Sequence, residues 1–294
     1  MCIRDRSAYL LVLVSALAHA SWNVLLKKSH DKEIFIWLAQ LFMCLVFFPL
    51  FIFIIRYQGI ESSGWMYIIG TSVLHAFYFI FLSRSYEHGD VSEVYPIARG
   101  TGPAIVPILG IVVFDEIVSL PAAAGIIFVC IGIFGIYRSS LLSNVLSNPL
   151  KIVKNKSVAY SLLTGITIAA YSICDKKGVE YVHPLAYMYL MMAGSSGLLT
   201  PFIFARKQIS DIQVEIRANW RTICIVGVLT FAAYSMVLFA LEIGKLSYVW
   251  PVREVSIIIA VFLGRIFLHE KLESIRIAGA CAIVAGVILI GVSA

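Results

Sequence analysis

The sequence predicts an all-α membrane protein: ten transmembrane helices in two inverted five-helix repeats. Its composition is too apolar for water, apolar runs of about twenty residues recur along the whole chain, and a ladder of matching residues links the two halves. Hydrophobic residues fill 60% of the 294 positions and charged residues 14%, against roughly half and a quarter in a soluble domain. With a mean hydropathy of +0.91, a soluble globular protein is excluded. At about 29 residues per span and loop, no length remains for a catalytic domain outside the bilayer.

Residues 1–7 precede the first apolar run and are read as a leader of unknown origin, too poor in Arg for a convincing signal peptide. Apolar runs bounded by charged residues or Gly/Pro breaks then place helices near 8–28, 34–55, 65–84, 91–114 and 119–137, which form the first repeat (8–137). The linker 138–156 carries Arg138, Lys151, Lys154 and Lys156 among Ser and Asn and joins the halves. The second repeat (157–294) places helices near 157–176, 184–205, 219–241, 246–268 and 274–293.

The segment EHGDVSEVYP at Glu87–Pro96 matches EIGKLSYVWP at Glu242–Pro251 at a constant offset of 155, in Glu, Gly, Ser, Val, an aromatic residue and Pro. Beyond one lost residue the ladder continues at an offset of 154, where Glu116, Gly125 and Gly132 fall on Glu270, Gly279 and Gly286. With an odd number of spans per half, the second half enters the bilayer from the opposite side, which is the inverted repeat of alternating-access carriers. Lys and Arg are richer in the loops after helices 1, 3, 5, 7 and 9, so the positive-inside rule places both termini outside the cytoplasm.

Polar residues at membrane depth need partners inside the bundle. Ser15, His19 and Asn23 share one face of helix 1, and Thr164, Thr167, Tyr171 and Asp175 one face of helix 6, with His19–Tyr171 and Asn23–Asp175 as repeat mates. The Ser and Thr residues read as interhelical glue. His19 lies near the midplane and is a candidate proton-coupling group as well as a satisfied interior histidine. His75 in helix 3 is a weaker candidate for lining the substrate cavity and reads first as a satisfied interior histidine.

Helices 4 and 9 hold the sharpest signal, VYPIARGTGPAIVP from Val94 and VWPVREVSI from Val249. Pro96 and Pro251 each free a backbone carbonyl four residues earlier, at Ser92 and Ser247, so kinks are expected at corresponding depths. Gly100, Gly102 and Pro103 loosen helix 4 further, and together these residues form the expected hinge. Arg99 and Glu254 each follow their proline by three residues and are expected to face one another, leaving Arg253 as the spare cation for an anionic group, with Glu254 also able to take a substrate ammonium. The same pair could serve only to lock the halves together. Tyr95 and Trp250, repeat mates beside the prolines, lead the aromatic candidates, with Trp22, Tyr78, Tyr171, Tyr234 and Tyr248 behind them. Arg265, His269 and Glu270 are expected at a helix end, against headgroup or loop. The glycines at Gly125 and Gly132, and at Gly279 and Gly286, are read as a packing face.

No catalytic or metal motif is found. The six cysteines are scattered singly, Gly100–Gly102 runs into proline inside a span, and His269 lacks the second histidine of a metalloprotease. Neither cofactor nor nucleic-acid binding is expected.

These residues resemble the EamA-type permeases of the drug/metabolite transporter superfamily over nearly the whole chain. Within that group, HASWN at His19–Asn23, YPIARGTGP at Tyr95–Pro103 and REVSI at Arg253–Ile257 resemble one bacterial branch, some of whose members are associated with phosphonate use. The resemblance implies a cofactor-free secondary carrier for a small molecule, of the kind that exports amino acids and other metabolites. It also implies a multi-pass protein of the bacterial inner membrane with both termini in the cytoplasm, opposite to the loop charges. The expected reading is transport of an amino-acid-like zwitterion or small anion around Arg99, Arg253 and Glu254. Its alternatives are proton-coupled export of organic cations through Glu254 and, remotely, a membrane-embedded lipid enzyme. The coupling proton or ion and a homodimer stay open.

Overall fold

The computed structural model describes residues 3–26, 29–88, 91–136, 155–259, 262 and 274–293. Among them are ten helices: α1 (Ile3–Leu26), α2 (Lys32–Gln58), α3 (Gly64–His88), α4 (Val91–Phe114), α5 (Leu120–Ile136), α6 (Lys156–Gly178), α7 (Pro184–Arg206), α8 (Ile209–Ile243), α9 (Leu246–Arg253) and α10 (Ser274–Ser293). By length and composition α2, α3, α4 from Ile97, α6, α7 and α8 can each cross a membrane, while α5 and α10 contribute shorter apolar helices. Leu45, Met66, Ile69 and Val112 are exposed on these helices, as an acyl-chain environment favours. Residue 137 and most of the linker, 138–154, lie outside the described residues.

Local chemistry sets the helix ends. Asp31 caps α2, its Oδ1 accepting the Glu33 and Ile34 amides at 3.0 and 3.2 Å, and Gly59 ends the helix at φ 68°. Asn155 caps α6 through the Ser157 amide, and Pro184 opens α7 behind His183. A capping box between Gln208 and Asp211 starts α8 well before the expected residue 219. The segment that follows is rich in charge, so apolar periodicity alone does not find it. Helix α1 likewise starts at Ile3, inside the expected leader.

The packing is that of an inverted pair. With α1 equivalent to α6 and α3 to α8, the contact of α1 with α8 mirrors that of α3 with α6. The contacts α1–α9 with α4–α6, and α2–α8 with α3–α7, are mirrored in the same way. Helices α5 and α10 pack on each other along a glycine seam that pairs Gly125 with Gly286 and Gly132 with Gly279. A Cβ at Gly132 would stand 2.5 Å from the Gly279 carbonyl oxygen and 2.6 Å from Ile283 Cγ1, so only glycine lets the backbones approach this closely. Gly132→Ala is therefore expected to destabilise the bundle by about 1–3 kcal/mol. Gly197→Ala, whose Cβ would meet nothing within 4 Å, should be neutral or slightly stabilising. Melting temperatures of the two variants in one detergent check this.

The proline helices do not behave as a matched pair. Helix α4 runs as one helical segment through Pro96, Gly100, Gly102 and Pro103. Gly100 and Gly102 are also points of close helix contact, where a Cβ would stand 3.1 Å from Phe134 and 3.0 Å from Ile168. Helix α9 accommodates Pro251 internally and stops at Arg253. There the Glu254 amide turns back to the Pro251 carbonyl at 3.2 Å, before the chain is helical again over 255–259. One physical reason is the support each helix receives. The start of α9 has no side-chain cap of its own, and Glu116, from the α4–α5 loop, accepts the Leu246 and Ser247 amides at 2.6 and 2.8 Å. Gly110 makes room for that carboxylate, since a Cβ there would lie 2.6 Å from Glu116 Oε2.

At the end of the bundle where α2 starts and α3 and α7 stop, charges clasp three helices. Arg206 pairs with Glu87 and Glu33, and Lys207 with Asp31 and Glu33. Partial burial works against the Lys207 charge, but its hydrogen bond to Asp31 and the neighbouring Glu33 carboxylate outweigh that and raise its pKa above the ordinary lysine value. The Lys207 side of the clasp thus stays charged at neutral pH and is lost as pH rises through that raised value.

Candidate functional site

Where α1, α2, α3, α4, α6, α7, α8 and α9 converge they leave a cavity of about 80 Å³. A single water needs ~10–15 Å³ on this measure, so the space takes roughly six water-sized groups, the scale of a small amino acid or phosphonate. Its polar lining is His19, Gln40, His75, Tyr78, Arg99, Tyr171, Thr230, Tyr234 and Arg253, set among Trp22, Met43, Phe79 and Met192.

Two guanidiniums meet there in different electrostatic situations. Arg99 on α4 is bound by Glu254, with Nη2 3.2 Å from Oε2, and both side chains are buried. Glu254 sits behind Arg99 and does not line the cavity, so the pair shows the open space only its cationic member. Arg253 is 4% exposed, and its Nε and Nη1 have no hydrogen-bond partner among the described residues. Its guanidinium carbon lies 4.7 Å from the Trp250 ring and 5.1 Å from the Tyr234 ring, so two aromatic faces hold the cation without satisfying its N–H donors. Gln40, 4% exposed on α2, also leaves its side-chain oxygen unpartnered.

His19 lines the cavity and accepts the Trp22 indole N–H at Nδ1, 3.2 Å away, a bond that requires the lone pair on that nitrogen. Asn23 does not follow it inward, because its amide nitrogen donates to the His19 carbonyl at 2.7 Å. Tyr171 stacks on His75 with centroids 4.1 Å apart and lies 5.8 Å from Trp250, which is buried behind the lining. Asp175, the repeat mate of Asn23, is fully buried one layer beyond the cavity. It accepts Thr71 Oγ1 at 2.6 Å, Tyr187 Oη at 3.1 Å and the Tyr234 hydroxyl. The side chains of Tyr95 and Pro96 lie outside the described residues, as do Arg265, His269 and Glu270. Pro103 is buried, and Pro251 lies within α9.

Several lining residues go unsingled by sequence reasoning, among them Gln40, Met43, Met192 and Thr230. Gln40 had a signal, as a lone amide in the interior of the very apolar helix α2. The two methionines and the threonine have none, since Met and Thr are as much at home against lipid or another helix as against a cavity.

A sequence profile of the EamA-like transporter family matches residues 6–138 and 155–292, one match per repeat. Among solved structures, a crystal structure of a protein 12% identical in sequence superposes with a TM-score of 0.74 over 96% of this chain and 96% of that one, a likeness of fold. No curated protein matches the sequence.

Proposed function

The chain belongs to the EamA-like transporter family, and from that premise we propose that it is a secondary carrier of a small anion or amino-acid-like zwitterion, held by Arg253 and moved by alternating access. The observation that carries this reading is the buried Arg253, with two donor nitrogens unpartnered and no ion pair among the described residues, at the wall of a cavity of matching size. A buried charge without a counter-ion costs several kcal/mol, and a carboxylate or phosphonate offset by charge-assisted, forked hydrogen bonds relieves that cost. Arg99, held by Glu254, adds a second cationic edge, and Gln40 and Tyr171 supply neutral polar contacts. The paired helix contacts of the two repeats support a rocking exchange of access.

The chain is a multi-pass membrane protein; we place it in the bacterial inner membrane. Organic-cation export through Glu254 has less support, since that carboxylate is taken by Arg99 and stands away from the lining. The test is thermal stabilisation of the purified protein by a panel of amino acids, methylphosphonate, small carboxylates and organic cations. Stabilisation by a zwitterion or anion is expected. Stabilisation by organic cations alone would overturn the proposal.

A further inference from the structure

We propose that Asp175, reached from the cavity through His75 and Thr71, is the proton-binding site of this carrier, and that Tyr234 ties its charge state to Arg253. The use made of the proton rests on the carrier reading above; its binding does not.

Asp175 is fully buried on α6 and has no Lys or Arg partner among the described residues. Its three bonds all come from hydroxyls, those of Thr71 on α3, Tyr187 on α7 and Tyr234 on α8. A buried carboxylate held by neutral donors alone gains more from a proton than one beside a fixed cation. The remaining titratable or charged groups around it are few. His75 faces it from α3. On α6 itself lie Cys174, Tyr171 and Lys176, the last of which donates to the Leu241 and Gly244 carbonyls instead. Across the cavity stand Arg253 on α9, Arg99 on α4 and His19 on α1.

The route is a hydrogen-bonded line. His75 Nδ1 lies 2.9 Å from the Thr71 carbonyl, which only accepts, so this nitrogen carries the proton. It is also 3.1 Å from Thr71 Oγ1, whose own proton points to Asp175 Oδ1. Both bonds use Nδ1, and the ring lines the cavity. A proton taken up at Nε2 lets the Nδ1 proton pass to Thr71 Oγ1 while the hydroxyl proton passes to Asp175. The imidazole ends neutral with its proton on the other nitrogen, the hydroxyl is restored, and Asp175 is a neutral acid: one proton enters and one is bound. His19 is less suited, because protonating Nδ1 would break its bond from Trp22.

Tyr234 supplies the link. Its hydroxyl donates to Asp175 Oδ2, and its ring lies 5.1 Å from the Arg253 guanidinium carbon. Once Asp175 is protonated, Tyr234 loses an anionic acceptor and the platform under Arg253 is freed, so proton binding and anion binding act on one side chain.

Infrared difference spectra of the full-length protein in detergent, recorded across pH steps, test this. A carboxylic-acid carbonyl band should be present in wild type at a pH where exposed carboxylates are still ionised, and be missing in Asp175→Asn. Thr71→Val keeps the carboxylate and should keep the band, with proton uptake after a pH jump slowed roughly a hundredfold. A band that persists in Asp175→Asn overturns the site, and uptake at the wild-type rate in Thr71→Val overturns the relay. Absence of the band in wild type, with stabilisation by sodium chloride over choline chloride that Asp175→Asn loses, would reassign the site to sodium. A band with the expected behaviour, in a protein that no anion stabilises, upholds the proton site while sinking the carrier's anion reading.

Discussion

Arg253→Ala is expected to lower affinity for the stabilising anion by roughly 30- to 4,000-fold, because removing one partner of a buried, hydrogen-bonded charge pair costs about 2–5 kcal/mol and each 1.4 kcal/mol is about tenfold. The empty protein should behave differently. Its guanidinium is buried with unpartnered donors, so truncation removes a desolvated charge and forfeits mainly the stacking on Trp250 and Tyr234. Unliganded stability should therefore change by less than about 2 kcal/mol. Arg253→Lys should recover part of the affinity, since it restores the charge and loses the fork. Ligand titrations followed by melting temperature separate the two effects.

Arg99→Ala has its largest effect on folding. It strands Glu254, 1% exposed and away from the cavity, without its cation, and a stability loss of about 3–5 kcal/mol is expected. Glu254→Gln is the milder partner change, because Arg99 lines the cavity and can share its charge with water or ligand there. That variant should bind anions more tightly than wild type. Replacing both, as Arg99→Met with Glu254→Leu, should regain much of the stability lost in Arg99→Ala, as apolar replacements of buried pairs do. Equal losses for Arg99→Ala and Glu254→Gln would contradict this placement of the pair.

Much of the architecture is legible in the sequence because a bilayer imposes length and composition on each span. The run from Pro184 to Arg206 starts at a proline and stops at a charge, and the helix does the same. The repeat ladder likewise places Arg99 opposite Glu254, and the glycines read as a packing face do form a helix seam, though each packs against the other glycine of the opposite pair and not against its repeat mate. What the sequence hides depends on contacts between distant segments. The start of α9 is held by Glu116, more than a hundred residues away, and that support lets Pro251 sit inside a helix that ends only at Arg253. Asn23 and Asp175 are repeat mates, yet one returns to its own backbone and the other gathers three hydroxyls, because their neighbours differ. Gln40 shows the same limit: a polar residue in an apolar span signals an inward face, but only the convergence of eight helices gives it a cavity.

The most direct test of the central claim is counterflow in proteoliposomes, using the anion that best stabilises the wild-type protein, with wild type and Arg253→Ala reconstituted at equal density. Wild type should exchange labelled for unlabelled anion across the bilayer, and the variant, folded and inserted to the same extent, should exchange none above empty vesicles. Counterflow at the wild-type rate in Arg253→Ala would contradict the account.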